Sequence, residues 1–69
     1  IYPNPIQNTL FIDMGSITQY EVVISDISGN VLFSQYDQNQ IDFRNFATGS
    51  YFLTLIVNNK YYNFNLIKN

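Results

Sequence analysis

Asp13, Glu21, Asp26, Asp37 and Asp42 are the only acids of this chain, and Arg44, Lys60 and Lys68 its only cations. Two of those carboxylates, if paired across a substrate bond, could act as general acid and base. Asp26 and Asp42 instead stand at the ends of β-rich runs beside turn residues, where a carboxylate ordinarily accepts backbone N–H groups. Histidine and cysteine are both absent. With them go the commonest general base, the thiolate nucleophile and the usual zinc ligands. No glycine-rich phosphate loop, no G-x-S-x-G and no D-x-[DN]-x-[DN]-G calcium run occurs. The inventory implies no enzyme, no bound metal and no cofactor.

The bulk composition points to one domain of 69 residues. A hydrophobic content of 46% with 12% charged residues is that of a folded chain rather than a disordered one. Without cysteine there is no disulfide staple. A net charge of −2 with three cations argues against nucleic-acid and anionic-membrane partners. No window approaches the eighteen apolar residues of a spanning helix, so direct membrane insertion is not expected. No signal peptide is visible. The sequence opens on Ile1 rather than Met, and is read as a single domain over residues 1–69 taken from a longer secreted protein.

The elements that must position these residues have a period of two. Strands are expected over Thr9–Asp13, Tyr20–Asp26, Val31–Tyr36, Gln40–Asp42, Ser50–Val57 and Lys60–Ile67. β-branched and aromatic residues fill these runs, and no run has a capped 3.6 spacing. Asn58-Asn59 suits a two-residue type I′ hairpin, because Asn tolerates the positive φ needed at both positions. In Asp26-Ile27-Ser28-Gly29-Asn30 the carboxylate can accept N–H groups just downstream while Gly29 supplies a left-handed backbone. Short strands closed by turn residues at roughly ten-residue intervals indicate an all-β fold. The expectation is a small antiparallel immunoglobulin-like β-sandwich of about six to seven short strands.

Three motifs punctuate this pattern. Tyr2-Pro3-Asn4-Pro5 is a stiff lead-in, each Pro fixing its own φ and extending the residue before it; Leu10 follows at the first strand. Asp26-x-Ser28-Gly29 is a hairpin turn. Asp42, Phe46, Gly49, Tyr51 and Leu53 form a short strand end, a Gly-closed loop and an aromatic-led strand, where Gly49 provides a geometry or close approach that a side chain would block. In this order and spacing, running to Lys68, the motifs resemble the common form of the C-terminal sorting domain of type IX secretion cargo.

That resemblance implies a non-catalytic signal that is recognised rather than one that reacts. Such domains follow a cargo through the periplasm. They are recognised by an outer-membrane translocon and handed to a β-barrel shuttle protein. In many cases a sortase-like peptidase then removes them, leaving the cargo secreted or on the cell surface. A cut in this protein would fall upstream of Tyr2. The chain departs from the pattern at its end, with Asn58-Asn59 for the common Asn-Gly, only Lys60 and Lys68 as cations, and Asn63 and Asn65 where Lys is common. The departure favours backbone and shape over charge in recognition. Two other readings of a small sandwich are a carbohydrate-binding module, using Tyr36, Tyr61 and Tyr62, and a structural spacer of a surface protein.

Overall fold

The computed structural model describes residues 5–69. Six strands follow one another: β1 (Thr9–Phe11), β2 (Glu21–Asp26), β3 (Val31–Tyr36), β4 (Gln40–Asp42), β5 (Gly49–Val57) and β6 (Lys60–Lys68). All pairings between them are antiparallel, and no helix occurs among the described residues. One sheet has the order β3-β2-β5-β6 and the other is the pair β1-β4. Two antiparallel sheets facing each other over apolar side chains are the arrangement of a small β-sandwich.

The first strand is shorter than its sequence suggests. Only Thr9, Leu10 and Phe11 find partners on β4. The Ile12 N–H still reaches the Asn39 carbonyl at 2.9 Å, but the Asp13 carboxylate then turns to the Gly15 N–H at 3.0 Å and ends the strand. Tyr20 likewise stays outside β2. Its N–H donates to the Asp37 carboxylate at 3.0 Å, while the Asp37 N–H donates to the Tyr20 carbonyl at 2.9 Å. Asp37 holds a φ of 59°.

The turns form as their residues require. Asn58 and Asn59 have φ values of 52° and 64°, the double positive φ of a type I′ hairpin. They set the register in which Val57 faces Lys60 and Leu53 faces Phe64.

Alternation decides what is buried. Val22 and Ile24 of β2, Tyr51, Leu53 and Leu55 of β5, and Leu66 of β6 point inward. Leu10, Ile41 and Phe43 meet them from the small sheet, and Ile6 closes the core from the N-terminal side. Tyr62 and Phe64 share the inward parity of Leu66, yet are 48% and 39% exposed. The reason is position: their register partners Leu55 and Leu53 on β5 are buried, as are Val22 and Ile24 beyond them on β2. Cover is lost sideways, at the β6 edge, where Leu66 is buried near Ile6 but Tyr62 and Phe64 stay half exposed.

Candidate functional site: the motif end of the sandwich

Among the described residues, the Asp26 turn, the Gly49–Tyr51 segment and Lys68, distant along the chain, gather at one end of the large sheet. Asp26 is the register partner of Tyr51, Tyr51 of Leu66, and Gly49 of Lys68. Ile6 forms a parallel bridge with Lys68. The β2–β3 turn, the loop before β5 and the end of β6 therefore share one rim.

Aromatic contacts hold the loop from Phe43 to Gly49. The Phe43 N–H donates to the Asn8 carbonyl at 2.7 Å, and the Phe46 N–H to the Phe43 carbonyl at 3.0 Å. The rings of Phe43 and Phe46 lie 4.5 Å apart, and Tyr51 packs on both, at 6.0 Å from Phe43 and 5.5 Å from Phe46. Edge and tilted contacts of this kind add to burial. The Tyr51 hydroxyl then donates to the Ala47 carbonyl at 2.5 Å, tying strand to loop. Gly49 has a φ of +153°, while a Cβ built there would meet nothing within 4 Å. Backbone conformation, not close approach, is what demands glycine at this position.

The carboxylates at this rim are occupied by the fold. Asp26 accepts from the Ser28 N–H at 2.9 Å, the Asn30 N–H at 3.0 Å and the Asn30 side-chain amide at 3.2 Å. The backbone donor of Asn30, foremost among these, draws the Asp26 carboxyl below its ordinary range. Gly29, at φ 89°, closes this turn. Asp42 accepts from Arg44 Nε at 3.0 Å, Nη2 at 2.8 Å and the backbone N–H at 2.9 Å. The guanidinium contacts hold the Asp42 carboxyl at about 2. Both partners of this ion pair are solvent-exposed, so it orients the loop more than it stabilises it. Neither arrangement leaves a carboxyl poised for proton transfer near neutral pH.

The remaining motif residues divide between core and rim. Leu10 and Leu53 are fully buried core. Lys68 is 8% exposed, with its ammonium donating to the Asn69 carbonyl at 3.0 Å. Tyr2, Pro3 and Asn4 lie outside the described residues, and Pro5 is exposed. A cavity of about 430 Å³ lies at the opposite end beside Gln19, Asp37 and Asn59, and no motif residue lines it. Proximity to the motifs, not cavity size, marks the site here. The three tyrosines considered for sugar binding make no common platform, because adjacent Tyr61 and Tyr62 point to opposite faces of β6.

Sequence reasoning missed Ile6. Its signal was an apolar residue directly after Pro5, between the lead-in and the first strand, to which no role was assigned. It is fully buried and joins the chain's beginning to its last strand.

The family model described as the secretion system C-terminal sorting domain matches residues 1–69. The chain belongs to this family. The sorting domain is thus a signal for type IX secretion, a route leading to the cell surface or the outside, and it acts through the machinery of that system. No curated protein and no solved structure matches it.

Proposed function

We propose that the sorting domain is a non-catalytic export address borne by a longer secreted protein, read by the outer-membrane translocon and then by its β-barrel shuttle. It carries its cargo out of the periplasm, and a sortase-like peptidase removes it by cutting upstream of Tyr2. The recognised surface is the loop of Asp42, Phe46, Gly49 and Tyr51 together with the final hairpin, and the Asp26–Gly29 turn beside it holds the fold of that rim. What supports this reading is the meeting of the Asp26 turn, the Gly49–Tyr51 segment and the end of β6 at one end of the sheet. Their polar atoms are satisfied within the chain, so the rim offers a partner shape and backbone rather than reactive groups.

The test is a transplant. Residues 1–69 are fused to the C-terminus of a fluorescent protein carrying a periplasmic export signal. The fusion is expressed in a host with an intact type IX system and in a translocon-deficient strain. Fluorescence outside the cell in the intact host alone is the expected result. Periplasmic retention of a folded fusion in both strains would overturn the proposal.

A further inference from the structure

The large sheet has two edges, β3 and β6. Along β6, alternate residues turn their N–H and C=O groups away from β5. The Ile67 carbonyl and Asn69 N–H show which residues these are, because they bond Ile6 on the outer side at 2.6 and 2.8 Å. By the same alternation the backbone groups of Tyr61 and Asn63 face outward, beyond the stretch that Ile6 covers. This open stretch lies beside the half-exposed inner-face side chains of β6, Tyr62 and Phe64. There Met14, Ile17, Leu55, Val57, Tyr62 and Phe64 form an apolar groove of about 220 Å³. That is below the range of small-molecule pockets, and suits a single large side chain. Lys60 stands on the same face as Tyr62, at the end of the groove by Val57. Residues 58–69 carry Lys60 and Lys68 but no Asp or Glu.

We propose that this half of β6 takes an extended segment of a partner protein as an added strand. Its main chain bonds Tyr61 and Asn63, one apolar side chain fills the groove, and a carboxylate two residues away on the same face meets Lys60. Strand addition draws affinity from the main chain and specificity from side-chain pockets beside the edge, and β6 offers both together. The β3 edge is different: its register with β2 slips between Ile24 and Ser25, leaving a bulge that discourages pairing. Charge selects the occupant. The same edge of a second copy brings only lysines and no carboxylate to Lys60, so a different protein with acid and apolar residues alternating is the fitting partner. The sorting reading supplies the partner's place, in the export machinery, and the present proposal rests on it.

The transplant fusion tests this with matched variants. N63P removes one outward N–H at an edge position where proline is tolerated. S34P does the same on β3, where Ser34 faces outward by the same alternation. N63P should cut export several-fold, up to about tenfold, as the loss of one backbone hydrogen bond implies, with circular dichroism still native; S34P should not. K60E, at an exposed position, should also reduce export. A photo-reactive residue at position 62 should crosslink to an acidic, extended segment of an export component. Normal export of folded N63P or of K60E overturns the proposal while leaving the sorting reading intact. So does a position-62 crosslink to a second copy. Retention of the unsubstituted fusion defeats the sorting reading and this proposal together.

Discussion

The Ile6 N–H donates to the Ile67 carbonyl at 2.6 Å, and the Ile6 carbonyl accepts from the Asn69 N–H at 2.8 Å. The side chain between these two bonds is fully buried. This parallel bridge fastens the N-terminal segment to the last strand and seals the core at the motif end. Ile6→Ala should cost about 2–5 kcal/mol, the range for emptying a buried aliphatic site. Urea unfolding of the variant measures it, and a change near zero would mean that Ile6 does not anchor the segment.

Gly49 joins the aromatic loop to β5 at a φ that side-chain-bearing residues avoid. Gly49→Val should cost about 1–3 kcal/mol in backbone strain, since nothing nearby would clash with the added Cβ. The loop would shift to relieve that strain, and the fused cargo should stay in the periplasm. Normal secretion of Gly49→Val would count against the loop as part of the recognised rim.

Tyr51→Phe keeps the ring contacts with Phe43 and Phe46 but removes the donor to Ala47. A loss of about 1 kcal/mol is expected, the net worth of one hydrogen bond. The Ala47–Gly49 amides should exchange faster with solvent, while those of β2 keep their protection. Uniform faster exchange across the sheet would show that the hydroxyl supports the whole domain rather than the loop.

Asp26 and Asp42 are both held below the ordinary carboxyl range, Asp42 at about 2. A folded-state value below the unfolded one means stability that is present above the unfolded value and lost as pH falls through the folded one. Thermal midpoints should therefore decline between about pH 4 and about pH 2. Asp42→Asn should flatten that decline, whereas an unchanged slope would assign the acid sensitivity elsewhere.

Asp26→Ala opens the β2–β3 turn by removing the acceptor of Ser28 and Asn30. The thermal midpoint should drop by several degrees, on the scale of a lost cap in a domain this small, and export should follow stability. A large export defect at an unchanged midpoint would instead make Asp26 a direct contact of the machinery.

The strands were legible in the sequence because alternation is written residue by residue. Val22 and Ile24, or Tyr51, Leu53 and Leu55, declare a buried face wherever the sheet lies. The turns were legible for the same local reason: Asn58-Asn59 and Asp26 with Gly29 carry their conformations in their own chemistry. Family membership was readable too, since it rests on residue order and spacing. What the sequence could not decide depended on partners far along the chain. Tyr62 and Phe64 alternate in step with Leu66, but only the assembled sheets show that the β6 edge leaves them half exposed while Leu66 is buried. Ile6, just beyond the Pro5 lead-in, had no assigned role until Ile67 and Asn69 supplied its hydrogen bonds. The convergence of Asp26, Tyr51, Gly49 and Lys68 at one rim was set by strand register. Alternation is a property of neighbours, whereas coverage and register are properties of the assembled sheets.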